Sequence, residues 1–380
     1  RSKSPCEWLG GILCSYKVPA DEQMAVSVYG GGCQMGGSGR ADERVQPGRT
    51  VSMNDVARLA GVSQQTVSRV ANDMPNVSER TRKRVREAME ELGFRVNYAG
   101  RSLRDGRYHS VGLCVNDITE FGNLSMLDGV TAAARERGYA VTLIEVSKDK
   151  EFSLGEASRS MAALPVDGVI FGMSRLAPDF DEFSPQPGLP SVIVSMCEHP
   201  RCTTVDSDQY QCALTLMGHL MANGHTQIRY VAGPESSIDE GYRQAGWRDT
   251  LQKRGLPVVE PIRGDWSADS GYEAACRMLE HDRVFTAVFA ANDQMANGVI
   301  WALRDHGLRV PEDVSVVGVD DSLADYVPNS RLTTVRFDNH QRGRTAFEHA
   351  IPLDPANNPV VAIRIPGTLV ERASVAPVGL

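Results

Sequence analysis

Residues 52–63 read Ser-Met-Asn-Asp-Val-Ala-Arg-Leu-Ala-Gly-Val-Ser, and residues 64–70 continue Gln-Gln-Thr-Val-Ser-Arg-Val. Asn54 to Ala60 reads as a short helix, Gly61-Val62 as a tight turn, and Ser63 as the N-cap of a second helix, Gln64 to Ala71. Two short helices crossing at a sharp turn tolerate only a small side chain at their contact, which Ala57 supplies, and Val56, Val62, Val67 and Val70 fall where the inner faces meet. Downstream, Val77-Ser78 offers a staple and cap for a third helix, Glu79 to Leu92, closed by Gly93. The pattern predicts a small all-α helix-turn-helix domain over residues 49–95.

The second helix of such a unit enters the major groove with its N-terminal residues nearest the base edges. Gln64 and Gln65 suit adenine, and Arg69 suits a two-pronged contact with guanine. Thr66, Ser68 and Asn72 are better placed for phosphates, which fix register without reading sequence. Ser63 and Asn76 complete the expected DNA-facing set.

Working outward, charge supports this placement. The 380-residue chain has a net charge of −8, yet residues 51–107 carry 11 basic and 7 acidic side chains, a surplus of four that leaves −12 elsewhere. A small basic module joined to an acidic body fits a DNA reader attached to a second device. The glycine runs at 30–32 and 36–39 make residues 1–48 an expected flexible extension. No apolar run reaches the roughly 18 residues of a membrane helix, so a cytoplasmic, nucleoid-associated protein is expected. The eight cysteines form no Cys-x-x-Cys pair, which favours buried thiols over zinc or disulfide chemistry.

Beyond a basic linker the texture changes. Apolar runs at 111–115, 140–146, 168–171, 191–194, 228–231, 287–289 and 314–317 alternate with helical patterns. Strands alternating with helices over more than 250 residues predict a two-lobed α/β core with doubly wound parallel sheets. No G-x-S-x-G, P-loop, metal-ligand pair or dinucleotide fingerprint interrupts it, so no enzyme and no cofactor is expected.

The stretch from Ser52 to Val70, with Val77-Ser78, Thr81 and Glu91-Leu92-Gly93-Phe94, resembles the lac repressor family of bacterial regulators. The resemblance runs from Val51 to the C-terminus and implies a periplasmic-binding-protein-like core over 108–380. Its N-lobe is expected at about 108–206 and 336–365, its C-lobe at about 207–333 and 366–380. It also implies a hinge at 96–107, forming a helix only in a dimer on DNA. There Ala99 and Leu103 reach the minor groove, and the paired leucines kink it. Gly100 stands where the family usually has alanine and costs such a helix roughly 1 kcal/mol.

In the core, the resemblance makes Arg243 the ligand-clamping arginine, Trp266 a sugar-packing ring, and Asn292 and Asp320 polar partners of a small sugar. Asn116 and Asp117 are expected beside them. Ser195 replaces an aspartate, and Phe337 and Asn339 replace a glutamine and a phenylalanine, of the family's namesake; the galactoside-like pocket floor is therefore rebuilt. A homodimer on palindromic double-stranded operator DNA, released by a sugar, is the leading expectation. A purine-type regulator whose ligand acts as co-repressor and a sugar-binding transport protein are the alternatives.

Overall fold

The computed structural model describes residues 51–71, 73–94, 106–146, 152–281, 284–324 and 326–379. They form two compact units, divided near Gly106.

The first unit has three helices: α1 (Met53–Ala60), α2 (Gln64–Ala71) and α3 (Glu79–Glu91). Each start is written locally. Ser52 and Asp55 form a reciprocal capping box: the Ser52 N–H donates to Asp55 Oδ2 at 2.9 Å and the Asp55 N–H to Ser52 Oγ at 3.3 Å. Ser63 Oγ accepts from the Thr66 N–H at 3.2 Å, and Ser78 Oγ from the Thr81 N–H at 3.4 Å. Gly61, at φ 62°, ends α1 in the left-handed region that its missing Cβ permits. Val56, Val67 and Val85 are fully buried at the centre, ringed by Ala57, Ala60, Val70 and Ala88.

The second unit holds two parallel sheets. The larger runs β11-β5-β4-β3-β1-β2, formed by β1 (Ser110–Val115), β2 (Ala140–Glu145), β3 (Val169–Gly172), β4 (Ser191–Val194), β5 (Thr203–Ser207) and β11 (Ala362–Ile365). The smaller runs β7-β6-β8-β9, formed by β6 (Ile228–Ala232), β7 (Ile262–Arg263), β8 (Ala287–Ala290) and β9 (Ser315–Val317). An antiparallel ribbon, β10 (Thr334–Arg336) with β12 (Thr368–Val370), lies at the crossovers. The chain therefore passes between the sheets after β5, after β10 and after β11.

Seven helices cover the sheets: α4 (Phe121–Glu136), α5 (Leu154–Ala162), α6 (Gln209–Ala222), α7 (Ile238–Lys253), α8 (Ala268–His281), α9 (Asp293–Asp305) and α10 (Asn339–Ala350). Helices α4 and α10 touch backbone to backbone, because a Cβ on Gly129 would lie 2.1 Å from the His340 carbonyl oxygen and one on Gly343 2.2 Å from that of Met126. That approach carries Arg342 of α10 in to Asp206 of β5. Cys114, Cys197, Cys202 and Cys212 are buried and outside any disulfide, and burial pushes Cys114 and Cys202 up to about 12. Among the described residues, no helix is long and apolar enough to cross a membrane.

Candidate functional site: a polar recognition helix and an interlobe cleft

Helix α2 turns Val67 and Val70 inward, which leaves Gln64, Gln65 and Arg69 exposed on its other side, with Asn76 exposed in the following loop. Ser63 is also exposed; Thr66 and Ser68 are half-buried, and the Thr66 hydroxyl is tied to that of Ser63 at 2.9 Å. Asn72, Ala99, Leu103 and the rest of the hinge from 95 to 105 lie outside the described residues, as do Gly100 and residues 1–50.

The loop after α2 is held by a device that sequence reading missed. Arg82 of α3 is nearly buried; it donates to Asp73 Oδ1 at 3.1 Å and to the Met74 carbonyl at 2.7 Å, while Arg86 reaches the same Asp73 oxygen at 2.9 Å. Asp73 has φ 50°, so two cations stabilise a residue in the left-handed region. A charged residue on a heptad-like inner face was the available signal.

In the second unit a cleft of about 570 Å³ opens where the strands of both sheets end. Ligand sites in open parallel sheets lie at such strand ends. The loop after β1 contributes Asp117; the crossover strand β5 contributes Asp206, and the segments after β6, β7, β8 and β9 contribute Asp239, Trp266, Asn292 and Asp320. Phe337 and Arg342 close it from the second crossover and α10.

Arg243 is placed by its own helix. Four residues on, Trp247 lies on the same face of α7, fully buried and stacked on Tyr230 at 5.2 Å, which anchors the helix against β6. Arg243 Nε donates to Gln209 Oε1 at 2.9 Å, Nη1 to the Ala291 carbonyl at 2.5 Å and Nη2 to Asp320 Oδ1 at 3.2 Å. A guanidinium has five N–H donors, so each terminal nitrogen keeps one beyond these bonds. Burial alone would depress its pKa, but Asp320 and Asp239 more than reverse this, and the group stays charged. Its carbon lies 5.7 Å from the Trp266 ring and 6.0 Å from that of Phe337.

Trp266 has φ 79° and Asp320 φ 97°, conformations that L-residues seldom adopt. Both are held from several sides. The Trp266 carbonyl accepts from Asn292 Nδ2 at 2.9 Å, and its indole lies so close to Gly233 that a Cβ there would meet ring carbons at 2.4 Å. The Asp320 N–H donates to the Val335 carbonyl at 2.9 Å. Next to it, Asp321 binds Arg372 Nη1 at 2.7 Å and Arg336 Nε at 2.8 Å, fastening the crossovers.

Asp117, Arg243, Trp266, Asn292, Asp320 and Phe337 thus line one cleft. Asn292 is doubly engaged, however: besides Trp266 it caps α9, its Oδ1 accepting from the Met295 N–H at 2.8 Å. Ser195 and Asn116 correct the sequence expectation. Ser195 has no exposed surface and its Oγ accepts from the Cys197 N–H at 3.1 Å, because it turns the chain directly after β4. Asn116 points its Oδ1 into protein, and the cleft wall takes Asp117 from that loop instead. The sequence reading also missed Asp206, paired with Arg342 Nη1 at 2.9 Å, along with Gln209 and Asp239. The acidic first turn of α7 was the visible hint of Asp239.

A three-helix unit joined in one chain to a two-sheet core with a cleft defines a class: regulators that join a helix-turn-helix to a periplasmic-binding-protein-like core. The comparisons agree. Residues 52–97 match the family model for bacterial regulatory proteins of the lacI family, and residues 217–375 that for a periplasmic binding protein-like domain. The catabolite control protein A of Priestia megaterium is 34% identical over 291 residues, 75% of this chain and 87% of that protein. The lactose operon repressor of Escherichia coli (strain K12) is 30% identical over 329 residues, 85% and 90% of the two chains. The crystal structure of the lac repressor dimer bound to operator and the anti-inducer ONPF superposes with a TM-score of 0.75 at 29% identity, covering 86% of this chain and all of that one. A CelR–cellobiose complex, at 29% identity, covers 85% and 99% with a TM-score of 0.61. The chain belongs to the lacI family of bacterial regulatory proteins.

Proposed function

We propose that the protein is a ligand-responsive transcriptional repressor. It binds a palindromic operator as a dimer through two copies of α2 and releases it when a small, galactoside-like sugar fills the cleft. On this reading residues 49–95 are the DNA-binding domain, and 96–107, with Ala99 and Leu103, form the hinge to the core at 108–380. Operator binding keeps the protein on the nucleoid.

One observation carries the reading. The cleft is walled by strand ends of both sheets, and Arg243, with donors left over from its three hydrogen bonds, lies within about 6 Å of the Trp266 and Phe337 rings. A sugar offers adjacent hydroxyls to a fork and an apolar ring face to an indole. A ligand touching both lobes favours one lobe orientation, and only such differential binding can move an equilibrium that DNA also biases. Relatives named as lactose and ribose operon repressors support the substrate class. Dimerisation is supported by the apolar surface where Trp301 of α9 is 53% exposed and Tyr326 79% exposed, beside a groove shared by Ile300 and Val327.

The test is an operator titration with and without a panel of mono- and disaccharides. Binding weakened about 5- to 150-fold by one sugar is the expected result. Tightening would replace inducer by co-repressor, and a sugar that binds without touching operator affinity would leave only a binding protein.

A further inference from the structure

We infer that the ligand of this cleft carries a protonated amine, and that Asp239 receives it; the ligand class is an amino-substituted polyol such as an amino sugar. The inference rests on the cleft being a polyol site and specifies which polyol.

Six carboxylates line the cleft, and five are satisfied by the protein itself. Asp206 accepts from Arg342, Asp320 from Arg243, and Asp117 from the Thr119 N–H and hydroxyl. Asp265 accepts from Ser267 and Glu120 from Asn123. Asp239 accepts no hydrogen bond from any described residue, although it is half-buried in the cleft lining and feels the charges of Asp206, Arg243, Arg342 and Asp320. The two buried arginines nearby are already bound to Asp206 and Asp320, which leaves one negative charge in excess. A carboxylate so placed is costly unless a cation arrives. Burial and the neighbouring Asp206 push its carboxyl up to about 7, so an ammonium placed beside it would restore the ionised form.

An organic ammonium fits better than a bare metal ion. Among the described residues no group of three or more His, Cys, Asp or Glu side chains is arranged to hold a metal. The same cleft is lined by the rings of Trp266 and Phe337, which take a carbon skeleton rather than a hydration shell. Residues 108–380 carry 36 acidic against 23 basic side chains, a field that draws cations inward.

The test compares glucosamine, galactosamine and mannosamine with their neutral parents glucose, galactose and mannose. Binding to the full-length chain is followed by calorimetry and tryptophan fluorescence, for wild type, Asp239→Asn and Asp239→Ser. Melting of each variant without ligand shows that it is folded. The expected result is that one amino sugar binds wild type at least about tenfold more tightly than its parent, and that both variants lose this preference. A neutral sugar bound equally by wild type and Asp239→Asn, with no amino sugar preferred, overturns the inference while leaving the polyol site standing. An amino sugar bound equally by all three proteins overturns the role of Asp239. No response to any of the six sugars overturns the amine inference and counts against the polyol reading itself.

Discussion

The two functional surfaces of this protein are built in opposite ways. On α2 the proposed reading groups, Gln64, Gln65 and Arg69, are exposed, and the unit's stability rests on the valines and alanines behind them. In the cleft the polar groups are themselves part of the structure: Arg243 is 4% exposed and joins α6, the end of β8 and the loop after β9 through three hydrogen bonds. A surface built the first way can change its partner without unfolding. A site built the second way couples ligand chemistry to stability, because the groups offered to a ligand also tie α6, the end of β8 and the loop after β9 together.

The comparison breaks most visibly at Arg243. Arg243→Ala would leave the half-buried Asp320 near Asp239 without its counter-ion, a loss that approaches the roughly 3–5 kcal/mol of breaking a fully buried pair. Chemical denaturation should show that loss, together with an absent ligand response. A variant as stable as wild type would mean that the cleft is an adaptable surface like α2.

Glu240 sharpens the same point through pH. It is almost fully buried; burial raises its carboxyl from 4.5 to about 7 despite hydrogen bonds from the Gly233 N–H and the Tyr230 hydroxyl. The folded protein then holds a proton that the unfolded chain releases, so this group's contribution is full below about pH 4.5 and is lost as pH rises toward 7. Glu240→Gln should flatten that part of the stability–pH profile and raise stability at pH 8. An unchanged slope between pH 5 and 7 would remove Glu240 as its source.

On the DNA side the expected effects fall on binding alone. Arg69→Ala should weaken specific operator binding by about 1–3 kcal/mol and relax preference at one symmetric pair of positions. Its melting temperature should match wild type, since Arg69 is exposed. Uniform weakening on random DNA would make Arg69 a phosphate contact. Smallest of all, Ser52→Ala should cost about 1 kcal/mol by removing one half of the capping box. Thermal unfolding of residues 51–106 followed within the full chain checks it, and the cleft's sugar affinity should not move.

How much of this was legible beforehand follows the same division. The helices of the first unit are written in contiguous residues: Ser52, Ser63 and Ser78 as caps, Gly61 as the stop, valines at helical spacing. The parallel strands at 111–115, 191–194 and 228–231 were visible as apolar runs, because both faces of such strands are buried. Strand β5 was not, since Thr-Thr-Val-Asp-Ser reads as polar while all five residues are buried. Its Asp206 is tolerated there only because α10, more than 130 residues later, brings Arg342 within 2.9 Å.

By itself, then, the sequence determined the three-helix unit, the alternating α/β core and the residue types in the cleft, because caps, turns and hydrophobic periodicity act over a few neighbouring residues. The tertiary structure alone decided which of those residues face a ligand. It withdrew Ser195 and Asn116 from the wall, engaged both ends of Asn292, and left Asp239 without a donor. The physical reason is that hydrogen-bond satisfaction of a buried polar group depends on partners that chain crossovers deliver from far along the sequence.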